Sequence, residues 1–323
     1  MEQAAYKIIA NQQDVTAKMA DRLIRLSLHD AAGFENDTAE IELDNRGGAV
    51  AVPPTGAELD IYIGYHDKLS YRGTYTVDEI EEPLEFDVLI IKAQSAQMKS
   101  SLKAPRDASY DDITLGALAG QLAQSHGYQA AVSDEMGAVH FEHIDQRGES
   151  DVNLLTRLAK ESNGLFKMAA NRFVIVSKES GKSVSGKELP AVTLSDPENS
   201  TGRVTIKDKD DYQSVVAYWF DEDAQEKVAE TAGSGEPQFV IRKNHTNQQA
   251  AQTAAQAKLA ELKRGNGTLS ITRPLDTSIM PEGVLILKNH KQSANGEWLV
   301  ESVDHSIEPG RAATTSASCS MKQ

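Results

Sequence analysis

The chain has 323 residues and a formal net charge of -15, with 33 Lys and Arg against 48 Asp and Glu. That acid excess excludes a phosphate-neutralising surface, because nucleic-acid binders concentrate Lys and Arg to release counterions, so no sequence-specific nucleic-acid partner is expected. The length suffices for two or three domains, each with its own core. One cysteine, Cys319, cannot form an internal disulfide, so folding in a reducing compartment is expected. Met1-Glu2-Gln3 lacks the basic and apolar regions of a signal peptide. The longest aliphatic blocks, Val88 to Ile91 and Val284 to Leu287, fall far short of the ~20 residues that cross a bilayer. Synthesis in the cytoplasm without membrane insertion is the expectation.

Residues 1–103 read as antiparallel β. Ile24, Leu26 and Leu28 alternate with Arg25, Ser27 and His29, and Leu59, Ile61 and Ile63 alternate with Asp60, Tyr62 and Gly64, the period of half-buried strands. Ala39 to Leu43 repeats the pattern with Glu40, Glu42 and Asp44 outside, and Asn45-Arg46-Gly47-Gly48 supplies a turn. Pro53-Pro54-Thr55-Gly56 marks another turn before a strand through Tyr71 to Asp78; Glu81-Glu82-Pro83 separates Val77 and Ile80 from a strand over Phe86 to Lys92.

Near Pro105 the period changes to that of a helix. Asp111 or Asp112 is placed to cap a helix with Ile113, Leu115, Leu118, Leu122 and Ala123 on one stripe, ended by His126-Gly127. Asp151 opens a second helix with Leu154, Leu155, Leu158 and Ala159, ended by Asn163-Gly164 and followed by strands over Leu165 to Met168 and Arg172 to Val176. The two helix-Gly-strand units form a weak internal repeat. A polar stretch, Ser177 to Lys187, reads as a linker, which makes 104–186 an inserted α/β segment. In 187–323 strands return at Val204 to Lys207, Tyr212 to Phe220 and Phe239 to Arg242. An Ala-rich helix over Asn247 to Lys263 places Ala251, Ala255, Leu259 and Leu262 on one face, with Gly265 as its stop. Strands resume at Thr268 to Thr272, Val284 to Lys288 and Trp298 to Ile307.

The chemical motifs carry little. Gly181-Lys182-Ser183 matches the end of a phosphate loop, but Val176 stands where its first glycine belongs. His140-Phe141-Glu142-His143 offers two imidazoles, which a strand points to opposite faces, and structural zinc needs four ligands. Glu79, Glu81 and Glu82 read as a solvated acidic edge, and Trp219 and Trp298 as core or interface anchors. No nucleophile elbow, HExxH or CxxC pattern occurs. No catalytic residue, metal or cofactor is therefore expected.

Taken in order, Asp21 to Leu26, Ala39 to Asp44, Pro53 to Leu59, Arg72-Gly73-Thr74-Tyr75-Thr76-Val77-Asp78-Glu79 and Thr114-Leu115-Gly116 form one pattern. Glu149-Ser150-Asp151, Leu155-Thr156-Arg157-Leu158-Ala159, Gly296-Glu297-Trp298-Leu299-Val300 and His305 continue it. Across nearly the whole chain it resembles the phage late control gene D protein family, baseplate hubs of contractile tails that are related in fold to the N-terminal part of VgrG spikes.

The resemblance implies an α+β chain of two tube-type antiparallel β-barrel domains, 1–103 and 187–323, with the α/β domain between them. It implies a homotrimer whose six β modules join a six-fold tail tube to a three-fold central spike in the baseplate, with tape measure and wedge proteins as further partners. Acidic residues facing such a lumen would repel a passing polyanion. The small residues Ala251 and Ala255, with Leu259, are the candidate interface: they should let a β layer of the second tube domain, or of a neighbouring subunit, approach the helix closely. The competing reading is a tail-tip protein that binds or hydrolyses peptidoglycan, since the helix over Leu115 to Gln124 with its flanking strands is faintly similar to a LysM module.

Overall fold

Alternating apolar residues, broken by Gly, Pro and Asn turns, give the first stretch seven strands: β1 (Ala4–Ala10), β2 (Gln13–Asp14), β3 (Leu23–Ala31), β4 (Thr38–Asp44), β5 (Glu58–Tyr65), β6 (Lys68–Glu81) and β7 (Val88–Ser95), with a one-turn helix α1 (Thr16–Met19) after β2. The middle stretch holds α2 (Ser100–Lys103), β8 (Arg106–Thr114), α3 (Leu115–Ser125), β9 (Gln129–Val132), α4 (Asp134–Gly137), β10 (His140–Glu149), α5 (Asp151–Glu161), β11 (Gly164–Ala169) and β12 (Arg172–Ser177). Next come β13 (Ala191–Leu194), β14 (Thr201–Ile206), β15 (Ser214–Asp221), β16 (Glu226–Gly233), β17 (Gln238–His245) and α6 (Gln248–Gly265). The last strands are β18 (Gly267–Pro274), β19 (Val284–Leu287), β20 (Gly296–Ile307) and β21 (Thr314–Met321). The computed structural model describes residues 3–33, 37–66, 68–95, 100–169, 172–178, 191–207, 212–221, 224–265 and 267–322. The linker expected after Ser177, with Gly181-Lys182-Ser183 inside it, lies almost wholly outside the described residues.

One sheet runs in the order β14-β18-β21-β20-β3-β4-β7-β6-β5-β1-β2, with β19 paired to β20 and β13 to β19. Its early strands bury Leu26, Leu28, Ala39, Ile41, Leu43, Leu59, Ile61, Ile63, Leu89 and Ile91 in one apolar cluster, as their alternation dictates. Ile24 departs from the pattern. The register of β3 against β4 shifts between Leu23 and Arg25, so Leu23 takes the buried place and Ile24 faces outward. Gly56, at a φ of 87°, makes the turn before β5, and its N–H reaches the Val77 carbonyl at 2.7 Å. Cys319 of β21 is buried, and its thiol is pushed up to about 12 by that burial and, less, by the Glu301 carboxylate.

Contacts group the chain differently from its linear division into 1–103, 104–186 and 187–323. Met1–Gln97, Ala191–Arg203 and Leu269–Cys319 form one compact unit; Met98–Pro190, Val204–Thr268 and Ser320–Gln323 form the other. Strand pairing explains the first grouping. Antiparallel pairing of β20 with β3, from Ser302↔Ala31 to Ile307↔Leu26, makes the last strands continue the sheet that the first strands begin.

The second unit contains a two-stranded sheet β10-β8, a three-stranded sheet β11-β12-β9, and a three-stranded sheet β16-β15-β17 against which α6 lies. Neither Asp111 nor Asp112 caps α3. Both belong to β8, whose pairing with β10 continues to Thr114↔His140, and the Thr114 hydroxyl accepts the Ala117 N–H at 3.3 Å. At α5 the cap is Ser150, which accepts from Asn153, and Asp151 is the first helical residue. Asp151 is buried and accepts from Arg106 Nε at 2.6 Å, Gln146 Nε2 at 2.8 Å and His126 Nε2 at 2.8 Å.

Candidate functional site

No cluster of the described residues has the make-up of a metal centre: no group of three or more His, Cys, Asp or Glu among them is placed to hold an ion. His140 and His143 are tied instead to carboxylates of their own two-stranded sheet. The His140 ring donates to Asp112 at 2.8 Å, and that of His143 to Asp111 at 2.5 Å and Asp145 at 3.1 Å. Asp111, and then Asp145, hold the His143 imidazole above its ordinary range. The α3 helix spends Leu115, Leu118, Ala119, Leu122 and Ala123 on burial in its own unit.

The large sheet offers a more extended surface. Opposite its apolar face, Arg25 lies 2.8 Å from Glu40 and 3.5 Å from Glu42, Lys92 lies 2.8 Å from Glu79 and also pairs with Glu81, and His29 lies 2.7 Å from Asp304. Gln94 donates to Asp78 at 2.5 Å and Thr74 to Asp60 at 2.5 Å. Carboxylates outnumber cations on this face, and Lys7, which lies over the Tyr62 ring, is the only other cation these contacts name. Glu79 and then Glu81 raise the Lys92 ammonium above the usual lysine range, while Lys92 and then Glu81 hold Glu79 below the usual carboxylate range. Such exposed pairs set the character of the face more than its stability.

Among the described residues the sheet has three open edges. β13 pairs only with β19, and β14 only with β18. At the third, β2 covers Ile9 and Ala10 of β1, and the Ile8 N–H reaches the Thr16 hydroxyl at 2.9 Å, but no described strand lies beyond Ala4 to Lys7. Where β3 meets β20 the core is polar. His305 is buried with Nδ1 2.9 Å from the Thr315 hydroxyl, which accepts the Asp276 N–H at 2.8 Å. Burial, and next the Arg72 charge, push His305 down to about 3, so its ring is neutral at neutral pH. Buried Arg72 in turn donates to the Thr277 carbonyl at 3.2 Å and lies 3.6 Å from Asp30.

Ala251 and Ala255 are fully buried with Val215, Ala217 and Ala232, and Leu259 is half-buried against the same cluster. The small side chains bring α6 close to β15 and β16, so the two alanines are buried within their own chain. That β layer is a three-stranded sheet, β16-β15-β17, within the 187–323 stretch where it was expected and separate from the large sheet. Ala255→Leu should overpack the contact and lower stability by about 1 to 3 kcal/mol. A urea midpoint equal to the parent's would show that the stripe tolerates bulk. Trp298 is buried and donates to the Ala294 carbonyl at 2.8 Å, while half-buried Trp219 packs beside the α6 cluster.

The surfaces on offer are thus sheet faces and edges suited to assembly, and comparison with known proteins gives the same picture. The chain is 29% identical to the probable baseplate hub protein of Escherichia phage 186, with 94% of this chain and 89% of that one covered. It is 34% identical to the probable baseplate hub protein of Escherichia phage P2 over 66% of this chain and 56% of that one. Its fold is similar to the crystal structure of the 43 kDa tail protein of prophage MuSo2 from Shewanella oneidensis, with a TM-score of 0.73, 14% identity and 98% of each chain covered. Residues 78–310 match the family model described as phage tail baseplate hub (GPD), and the chain belongs to that family.

Proposed function

We propose that this baseplate hub works as a homotrimeric ring that couples the tail tube to the central spike. The observation that carries the reading is the continuous sheet assembled from two successive strand sets, β1–β7 and β13, β14 and β18–β21, joined where β3 pairs with β20. Two such sets per chain make six in a trimer, which matches a six-fold tube on one side and a three-fold spike on the other. The open edges supply the means of closure: the β14 edge of one copy pairs with the Ala4 to Lys7 edge of the next, head to tail. The acidic face lines the lumen, where it repels a passing polyanion. The role is mechanical rather than enzymatic, with tape measure and wedge proteins as further contacts, and purified protein should leave peptidoglycan uncleaved.

Images of the hub in assembled particles test this directly. They should show three copies, protomer interfaces above the ~2,000 Å² of permanent complexes, and Glu40 and Glu42 pointing inward. Six copies, two-fold symmetry or an outward acidic face would contradict it.

A further inference from the structure

A groove of about 770 Å³ runs along β17 in the second unit, between the end of α5 and the middle of α6. Phe239, Val240, Ile241, Arg242 and Lys243 all line it. Consecutive residues line one groove where it follows a strand's edge, because a strand's face shows alternate ones. That edge is open: β17 pairs with β15 on one side, and no described strand lies on the other. Between Val216 and Tyr218 the register with β15 also shifts, so Ile241, Arg242 and Lys243 have no partner in it. Backbone N–H and C=O groups along the groove are therefore left for a second chain.

The lining has two parts that select what binds. Its floor is apolar: Ala257 is buried, and Phe239 and Ile241 are half-buried beside the α6 cluster. The Phe239 ring stands edge-on to Tyr212, with the Lys258 ammonium 5.2 Å from its centroid. Its rim is basic. Arg157, Lys160, Arg242, Lys243 and Lys258 face only Glu161 and Glu261 there, in a chain of net charge -15. Three of these cations are partly neutralised: Arg157 lies 2.8 Å from Glu149, Lys243 3.4 Å from Glu161 and Lys258 3.2 Å from Glu261. Exposed Lys160 and Arg242 have no carboxylate partner among the described residues. Charges of one sign around a partly enclosed apolar groove concentrate ligands of the other sign.

We propose that this groove is a docking site for an acidic, extended peptide segment of a partner protein. The segment adds to the open edge of β17 as a further strand, sets bulky apolar side chains on Phe239, Ile241 and Ala257, and turns its carboxylates to Lys160 and Arg242. Nucleic acid, the other polyanion that a basic groove attracts, would leave the apolar floor unfilled and has no backbone to pair with a strand edge. The site lies wholly within the second unit, so it is independent of ring closure through the large sheet.

The test uses the full-length chain and a fluorescein-labelled peptide of about ten residues in which Glu and Leu alternate, with binding read by fluorescence anisotropy at low salt. The parent should bind it with a micromolar Kd that weakens as salt is raised. Lys160→Glu with Arg242→Glu should leave the thermal midpoint unchanged and lower the affinity by about tenfold or more. The same peptide with Ser in place of Leu should bind weakly, and the bound Leu peptide should slow amide hydrogen exchange over residues 239–243. No binding by the parent, undiminished binding by the double variant, equal binding of the Ser peptide or unchanged exchange in β17 overturns the proposal. Tighter binding of a single-stranded DNA of about ten nucleotides than of the Leu peptide overturns it too, making the groove a nucleic-acid site. Native mass spectrometry supplies the last arm: loss of a parent oligomer in the double variant gives the groove to a second copy and overturns a foreign segment.

Discussion

Asp151→Ala is expected to lower the stability of its unit by about 2 to 6 kcal/mol, the cost of stranding two buried donors at about 1 to 3 kcal/mol each. The donors are Gln146, which is fully buried, and His126, both of which point at the Asp151 carboxylate. Arg106 is close to half exposed and can return to water, so its lost ion pair adds little. Asp151→Asn keeps the shape and should cost less. Burial works to raise the Asp151 pKa, but bonds from Gln146, His126 and Arg106 outweigh it and hold the carboxyl below its usual range. A carboxylate depressed on folding stabilises the protein above its unfolded pKa of about 3.9, and that contribution fades as pH falls through the lower folded value. Urea midpoints at neutral and acidic pH should therefore show parent and Asn variant converging in acid. An alanine variant with the parent's neutral midpoint would mean that the triad contributes nothing.

Trp298→Ala should cost the large-sheet unit about 3 to 5 kcal/mol, since it empties the space of the largest fully buried side chain and strands the Ala294 carbonyl. Trp298→Phe refills most of that volume and loses only the N–H donor, so its cost should be clearly smaller. Far-UV circular dichroism during denaturation reads the sheet. Fluorescence of the alanine variant comes from Trp219 alone, which reports on the other unit. If both substitutions cost the same, the hydrogen bond rather than packing holds the site.

The first strands were legible because bulky apolar residues alternate with charges: Ala39, Ile41 and Leu43 occupy the buried face their spacing assigns. Ile24 misled because a one-residue bulge reverses parity, and no residue type announces a bulge. Strands β16 and β21 carry Ala, Thr, Ser and Cys where β4 carries Ile and Leu, so their alternation has little amplitude. The Ala251 and Ala255 stripe correctly signalled close helix packing, but spacing along a helix says nothing about which sheet fills the far side. Similarly, chain order placed β15–β17 and α6 with the final strands, whereas non-local pairing assigns them to the other unit. The β6–β7 hairpin was visible only as an acidic sequence run; that Leu84 stands out of it fully solvated required the hairpin geometry.

The state of Cys319 bears on the durability of the assembled baseplate. With its thiol pushed up to about 12 by burial, Cys319 stays protonated at pH 7. The sulfur is also buried. Disulfide exchange and oxidation both begin from an accessible thiolate, so intact hubs should neither cross-link one another nor age through this atom when air replaces a reducing medium. Packing alone thus passivates the one sulfhydryl of the chain, whatever the redox state of its surroundings.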